Sequence, residues 1–229
     1  AKISPLHTSI FGGDISFERV EYRPGGNGRE DGMFLVDVGL YDVHPSFLHN
    51  WGFLDGQPPP ELDGTAVGRL SSRLTFRRNA AGDAGLAVDG DIDLAYEWDE
   101  PSGLLPAHTE VVGRVHGIFM PEEQRITTDG VRISGSSEQL NLEGQFDVKN
   151  ETFDLAANVS IGLREFLGRL GIEGWSGQAV LGDARITGTL SDPWVKGRAS
   201  LNKGNIAGLG IERFEAMALL DRGLLSLQS

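Results

Sequence analysis

The segment LAVDGDIDLAYEW puts Leu86, Val88, Ile92, Leu94, Tyr96 and Trp98 at every second position, with Asp89, Asp91, Asp93 and Glu97 between them. Only an extended chain sorts such residues onto two faces, because successive side chains of a pleated strand point opposite ways. The same period recurs along the chain. MFLVDVGL groups Phe34, Val36, Val38 and Leu40. LNLEGQFDV groups Leu140, Leu142, Phe146 and Val148. TFDLAANVSI groups Phe153, Leu155, Ala157, Val159 and Ile161, and VLGDARITGTL groups Val180, Ala184, Ile186 and Leu190. Alternation this clean predicts antiparallel strands with one apolar and one wet face. About a dozen strands are expected at the 8–12-residue spacing of all-β chains. Stacked at ~4.8 Å they would span some 50–60 Å, and an open sheet of that length must curl, split or close.

Two stretches break the period. HPSFLHNWGFL, residues 44–54, and GLREFLGRLGI, residues 162–172, carry apolar residues at helical spacing. Each predicts a short amphipathic helix that plugs an end or side of the sheet, being too short to stand alone. KNET, 149–152, reads as a hairpin loop, and SDP, 191–193, as a turn that Pro193 helps to terminate. Glycine makes up 32 of 229 residues, about twice the usual share, and recurs near the turns in a loose strand–turn–strand repeat. No linker composition divides the chain, so residues 1–229 read as one β-groove domain, expected to be a fragment of a longer repeat-built protein.

Charge removes several function classes. Twenty Lys and Arg against 33 Asp and Glu give a net charge of −13, which repels nucleic acid and anionic headgroup surfaces. It leaves open the binding of lipid through its acyl chains. The absence of cysteine is compatible with any redox compartment.

Catalytic constellations are missing from the pattern. Asp89, Asp91 and Asp93 share a strand face about 7 Å apart, which suggests Ca²⁺, but a calcium loop needs a turn and free backbone carbonyls. They read as a solvated face. The five histidines show no ligand spacing, no GxSxG elbow is present, and GLGIERF lacks a following helix. Trp51, Trp98, Trp175 and Trp194 lie too far apart in sequence to announce a sugar-stacking platform. No enzyme activity, metal or cofactor is expected.

The run GDARITGTLSDPWVKGRASLNKGNIAGLGIERFEAMALLDRGLLSLQ, with its G-x-L-S-D-P-x-V-x-G core at Gly188–Gly197, resembles the AsmA-like superfamily, and most closely its TamB-type branch. ISFERVEYRP…MFLVDVGLYDVHPSFL looks like an upstream repeat of the same type. The resemblance implies an open, taco-shaped all-β groove in a periplasmic protein anchored in the inner membrane. It implies a role in passing phospholipid acyl chains towards the outer membrane, or in outer-membrane protein assembly with an Omp85-type outer-membrane protein. It brings no catalytic residues. The apolar faces supply the expected lining: Leu86, Val88, Ile92, Leu94 and Tyr96 from one strand, with Phe146, Val148, Leu155, Val159 and Ile186 from others. A carbohydrate- or surface-binding β-sandwich remains the alternative, since a closed core and an open groove produce the same alternation.

Overall fold

The computed structural model describes residues 2–3, 6–10, 13–24, 30–43, 64–78, 84–98, 106–189, 192–221 and 224–228. Its strands are β1 (Lys2–Ile3), β2 (Leu6–Ile10), β3 (Gly13–Pro24), β4 (Glu30–Val43), β5 (Gly64–Arg78), β6 (Ala84–Trp98), β7 (His108–Phe119), β8 (Gln124–Ser134), β9 (Glu138–Asp147), β10 (Thr152–Gly162), β11 (Trp175–Thr189), β12 (Pro193–Ile206), β13 (Leu209–Asp221) and β14 (Leu224–Gln228). A helix, α1 (Leu163–Arg169), lies between β10 and β11. The helix expected over 44–54 falls outside the described residues.

All fourteen strands belong to one antiparallel sheet. From β3 to β14 each strand pairs with its sequence neighbours, so the chain is a continuous meander. β1 and β2 lie one after the other along the outer edge of β3. The two ends of the path do not meet, and the sheet stays an open, curved surface rather than a barrel.

Bulges set local bends. β4 shifts register between Leu40 and Val43, where Asp42 takes φ 54°, and β11 shifts between Gly182 and Arg185, where Asp183 takes φ 50°. Each bulge inserts an unpaired residue and increases strand twist. The β11 bulge also corrects a sequence expectation. Two residues of β11, Gly182 and Asp183, oppose one of β10, Asn158, so alternation slips by one. Ile186 and Ala184 face Leu155 and Ala157, but beyond the bulge it is Leu181 that faces Val159. Val180 instead pairs with Ser160 and joins the polar face.

Burial shows what kind of surface this is. Nine apolar residues are closed from solvent among the described ones, and five of them are alanines: Ala87, Ala157, Ala184, Ala216 and Ala218. Ile15, Leu40, Val43 and Leu201 are the only large ones, and Ile15, Leu40 and Val43 form the one compact cluster. A two-layer sandwich of this length would enclose many leucines, valines and phenylalanines between its sheets. The described strands thus form one layer whose apolar side is half-covered.

Candidate functional site

Register defines the apolar face. One row runs Ile15, Leu40, Gly68, Leu94, Val111, Ile133, Leu140, Val159, Leu181, Ala199, Ala216, one residue from each strand from β3 to β13. Ten strand spacings at ~4.8 Å make it about 48 Å long, measured across the strands. A parallel row joins Tyr22, Phe34, Leu74, Val88, Gly117, Ile126, Phe146 and Phe153. Tyr22 and Phe34 stack at 4.8 Å, and Phe34 meets Phe76 edge-on at 5.8 Å.

Nine of the ten expected lining residues fall on this face. Leu86, Val88, Ile92, Leu94 and Tyr96 line β6, Phe146 lies on β9, Leu155 and Val159 on β10, and Ile186 on β11. All nine are half-buried, neither enclosed nor fully wet. Val148 is the exception. β9 ends at Asp147, and Val148 starts the turn, where its N–H donates to the Gln124 carbonyl at 2.8 Å. Asp147 ends the strand by accepting from the Asn150 backbone N–H and amide at 2.9 and 2.8 Å, and these bonds hold its carboxyl below the usual range. An alternation count runs straight through such a turn and so overextends the strand.

The opposite face is a lattice of cross-strand ion pairs. Arg114 donates to Asp91 at 2.8 Å, and His116 bonds Asp89 at 2.6 Å and Asp129 at 3.3 Å. His108 sits between Glu97 and Glu110. Arg185 grips Asp154 with two bonds of 2.7 and 2.8 Å, and Arg69 reaches Glu18 at 2.6 Å. Two of the three aspartates once considered for Ca²⁺ are therefore committed to cations on β7. Arg23 and Arg19 hold Glu21 down to about 2. Hydrogen bonds to Glu97 and then to Glu110 raise His108, and the bond to Asp89 raises His116 against partial desolvation. Two depressions, of about 810 and 500 Å³, lie among these polar side chains, around Asp154 and Arg185 and around Arg73 and Arg114.

At the end of β9 and β10, α1 is tied down by one shielded ion pair. Arg169 bonds Glu138, with side-chain exposures of 15% and 16%, and its guanidinium lies 5.7 Å from the Phe166 ring centre. Burial raises Glu138, but the bonds from Arg169 and Ser137 outweigh it and leave the carboxyl below its usual value. Beside the helix a depression of about 450 Å³ is lined by Trp175, Ile172, Arg164 and Glu173 among others. Sequence reading did not find it, because it joins the helix and its following loop to Asn205 on β12 through the pairing of Trp175 with Ile206. No family model, curated protein or solved structure matches this chain.

Proposed function

We propose that this chain is a segment of a bridge-like lipid conduit of the AsmA-like, TamB type, working in the periplasm as part of a parent protein anchored in the inner membrane. The observation that carries the reading is the apolar row crossing eleven strands on a face that no second sheet covers among the described residues. Acyl chains replace water against that face. Each buried CH₂ contributes roughly 0.8 kcal/mol, so full enclosure of a chain of about sixteen carbons would give on the order of ten kcal/mol. A half-covered face gives a fraction of that, which suits a surface along which lipid must move. The paired charges of the other face keep it wetted and discourage stacking of one sheet on another. An Omp85-type outer-membrane protein is the partner that the AsmA-like resemblance proposes for the parent.

A photo-crosslinking residue at Leu94 or Phe146 is expected to capture phospholipid, whereas the same label at Asp93 or Glu143 on the polar face is not. Asp147 is a poor control because it holds the β9–β10 turn. Equal capture on both faces, or on neither, ends the conduit reading.

A further inference from the structure

The depression beside α1 sets charges of both signs next to apolar side chains. Many arginines of the sheet hold a carboxylate, as Arg19, Arg114, Arg169, Arg185 and Arg213 do. Arg164 and Glu173 line one depression of about 450 Å³, yet neither makes an ion pair or side-chain hydrogen bond with any described residue. Trp175 and Ile172 add an aromatic and an aliphatic side chain to the same lining, with Ser176 and Asn205 as polar neighbours. Asn205 Oδ1 accepts from the Gly208 N–H at 2.8 Å, so the group it has left to offer is its amide donor. A ligand with one charge would satisfy Arg164 or Glu173 and leave the other facing a charge of its own sign. A ligand with both charges and an apolar body satisfies the whole lining.

We propose that this depression binds the head of a zwitterionic amphiphile, its phosphoester anion at Arg164 and its ammonium at Glu173, with apolar carbons against Trp175 and Ile172. The source of the ligand rests on the conduit reading, while the site itself rests on the two uncommitted charges and the aromatic wall. The site would make the sheet selective for head groups that carry an amine as well as a phosphate.

Titration calorimetry on the full chain tests this with three probes: dihexanoyl phosphatidylethanolamine below its micellar concentration, dihexanoyl phosphatidic acid, and phosphoethanolamine without acyl chains. The zwitterionic diacyl probe is expected to bind about tenfold tighter than phosphatidic acid, the worth of one charge-assisted contact. Arg164→Gln weakens both diacyl probes about tenfold. Glu173→Gln removes only the preference between them. Gly168 lines the depression with nothing within 4 Å of where a Cβ would stand, so Gly168→Leu fits without strain and is expected to block binding. Val112→Thr, on the polar face of β7 four strand spacings (about 19 Å) from β11, leaves all three affinities unchanged. Phosphoethanolamine binding as tightly as the diacyl probe overturns the amphiphile assignment in favour of a small zwitterion. Failure of the zwitterionic probe to bind, or binding indifferent to Arg164→Gln, Glu173→Gln and Gly168→Leu, overturns the site. Lipid capture at Leu94 with that indifference removes the site and keeps the conduit. The variant pattern without capture at Leu94 keeps the site and removes the conduit.

Discussion

His108 and His116 each stand between two carboxylates on neighbouring strands, and both imidazoles titrate above their ordinary value of about 6.5. A group whose folded pKa is raised contributes stability fully below its unfolded pKa and loses it as pH rises through the folded one. Asp89, Asp91 and Asp129 lie about His116 and Arg114, with Arg73 opposite Asp89. Losing the His116 proton therefore sets carboxylates against one another. The urea midpoint is expected to fall between about pH 6 and pH 8, and His108→Gln/His116→Gln to flatten that fall. A wild-type midpoint that climbs over the same interval would contradict these pairings. Because both histidines are well exposed, added salt should shrink the effect. The Glu138–Arg169 pair is a different case, shielded on both sides. Glu138→Gln leaves a guanidinium partly buried without its counter-charge, at a cost of about 1–3 kcal/mol. Hydrogen exchange over α1 should rise more than exchange in β6. A uniform change, or none, would mean that the pair does not anchor the helix.

Bulges and small residues shape the elements. Ala157 faces Ala184 across β10 and β11, and a Cβ on Gly197 would stand 2.9 Å from the Ala184 Cβ and 3.0 Å from its Cα. Ala157 and Ala184 are 1% and 2% exposed, so this corner is closed to solvent. Gly197→Val forces β11 and β12 apart and is expected to cost about 1–3 kcal/mol. The comparison is Val112→Thr on the polar face, where Val112 is 47% exposed and the effect should stay within about 0.5 kcal/mol. Equal losses in urea unfolding would refute a tight corner here. The two bulges also explain where alternation misleads. Val180 sits in step with Ile186 in the sequence and on the opposite face in the sheet, because Asp183 with its left-handed backbone absorbs one position. The short helix was legible from Leu163, Phe166, Leu167 and Leu170. The ion pair that seats it was not, since Glu138 lies 31 residues away in sequence.

At the scale of the molecule, the sheet ends in open edges. β14 pairs with β13 only over Met217–Asp221, and Leu209, Leu224, Leu225 and Leu227 are 53–76% exposed. An apolar edge with unpaired backbone groups is a template for another strand. The 229-residue chain should therefore self-associate as concentration rises, and Leu225→Lys should shift it towards monomer in light scattering. Self-association unaffected by that change would place the contact elsewhere. The single layer makes a further demand. Leu94→Asp puts a carboxylate on a half-covered face that still reaches water, so the fold should survive with a modest loss of stability. In an enclosed core the same change would cost several kcal/mol and the fold with it.

Strand periodicity, face composition, the α1 helix and the place of nine residues on the apolar face were written in the order of residues, because a pleated backbone turns a period of two into two faces whatever surrounds it. Val148 and Val180 escaped because a turn and a bulge reset that period, and both depend on hydrogen bonds between distant segments. Whether the apolar face is closed or open was beyond the sequence for the same reason that the face was legible. Burial against a second sheet and exposure along an uncovered one reward the same alternation. Among the described residues, the pairing of each strand with its neighbours makes one unclosed layer. Tertiary structure also assembled Arg164, Glu173, Trp175 and Asn205 beside α1, since residues on separate elements acquire a common depression only once strand register brings those elements together.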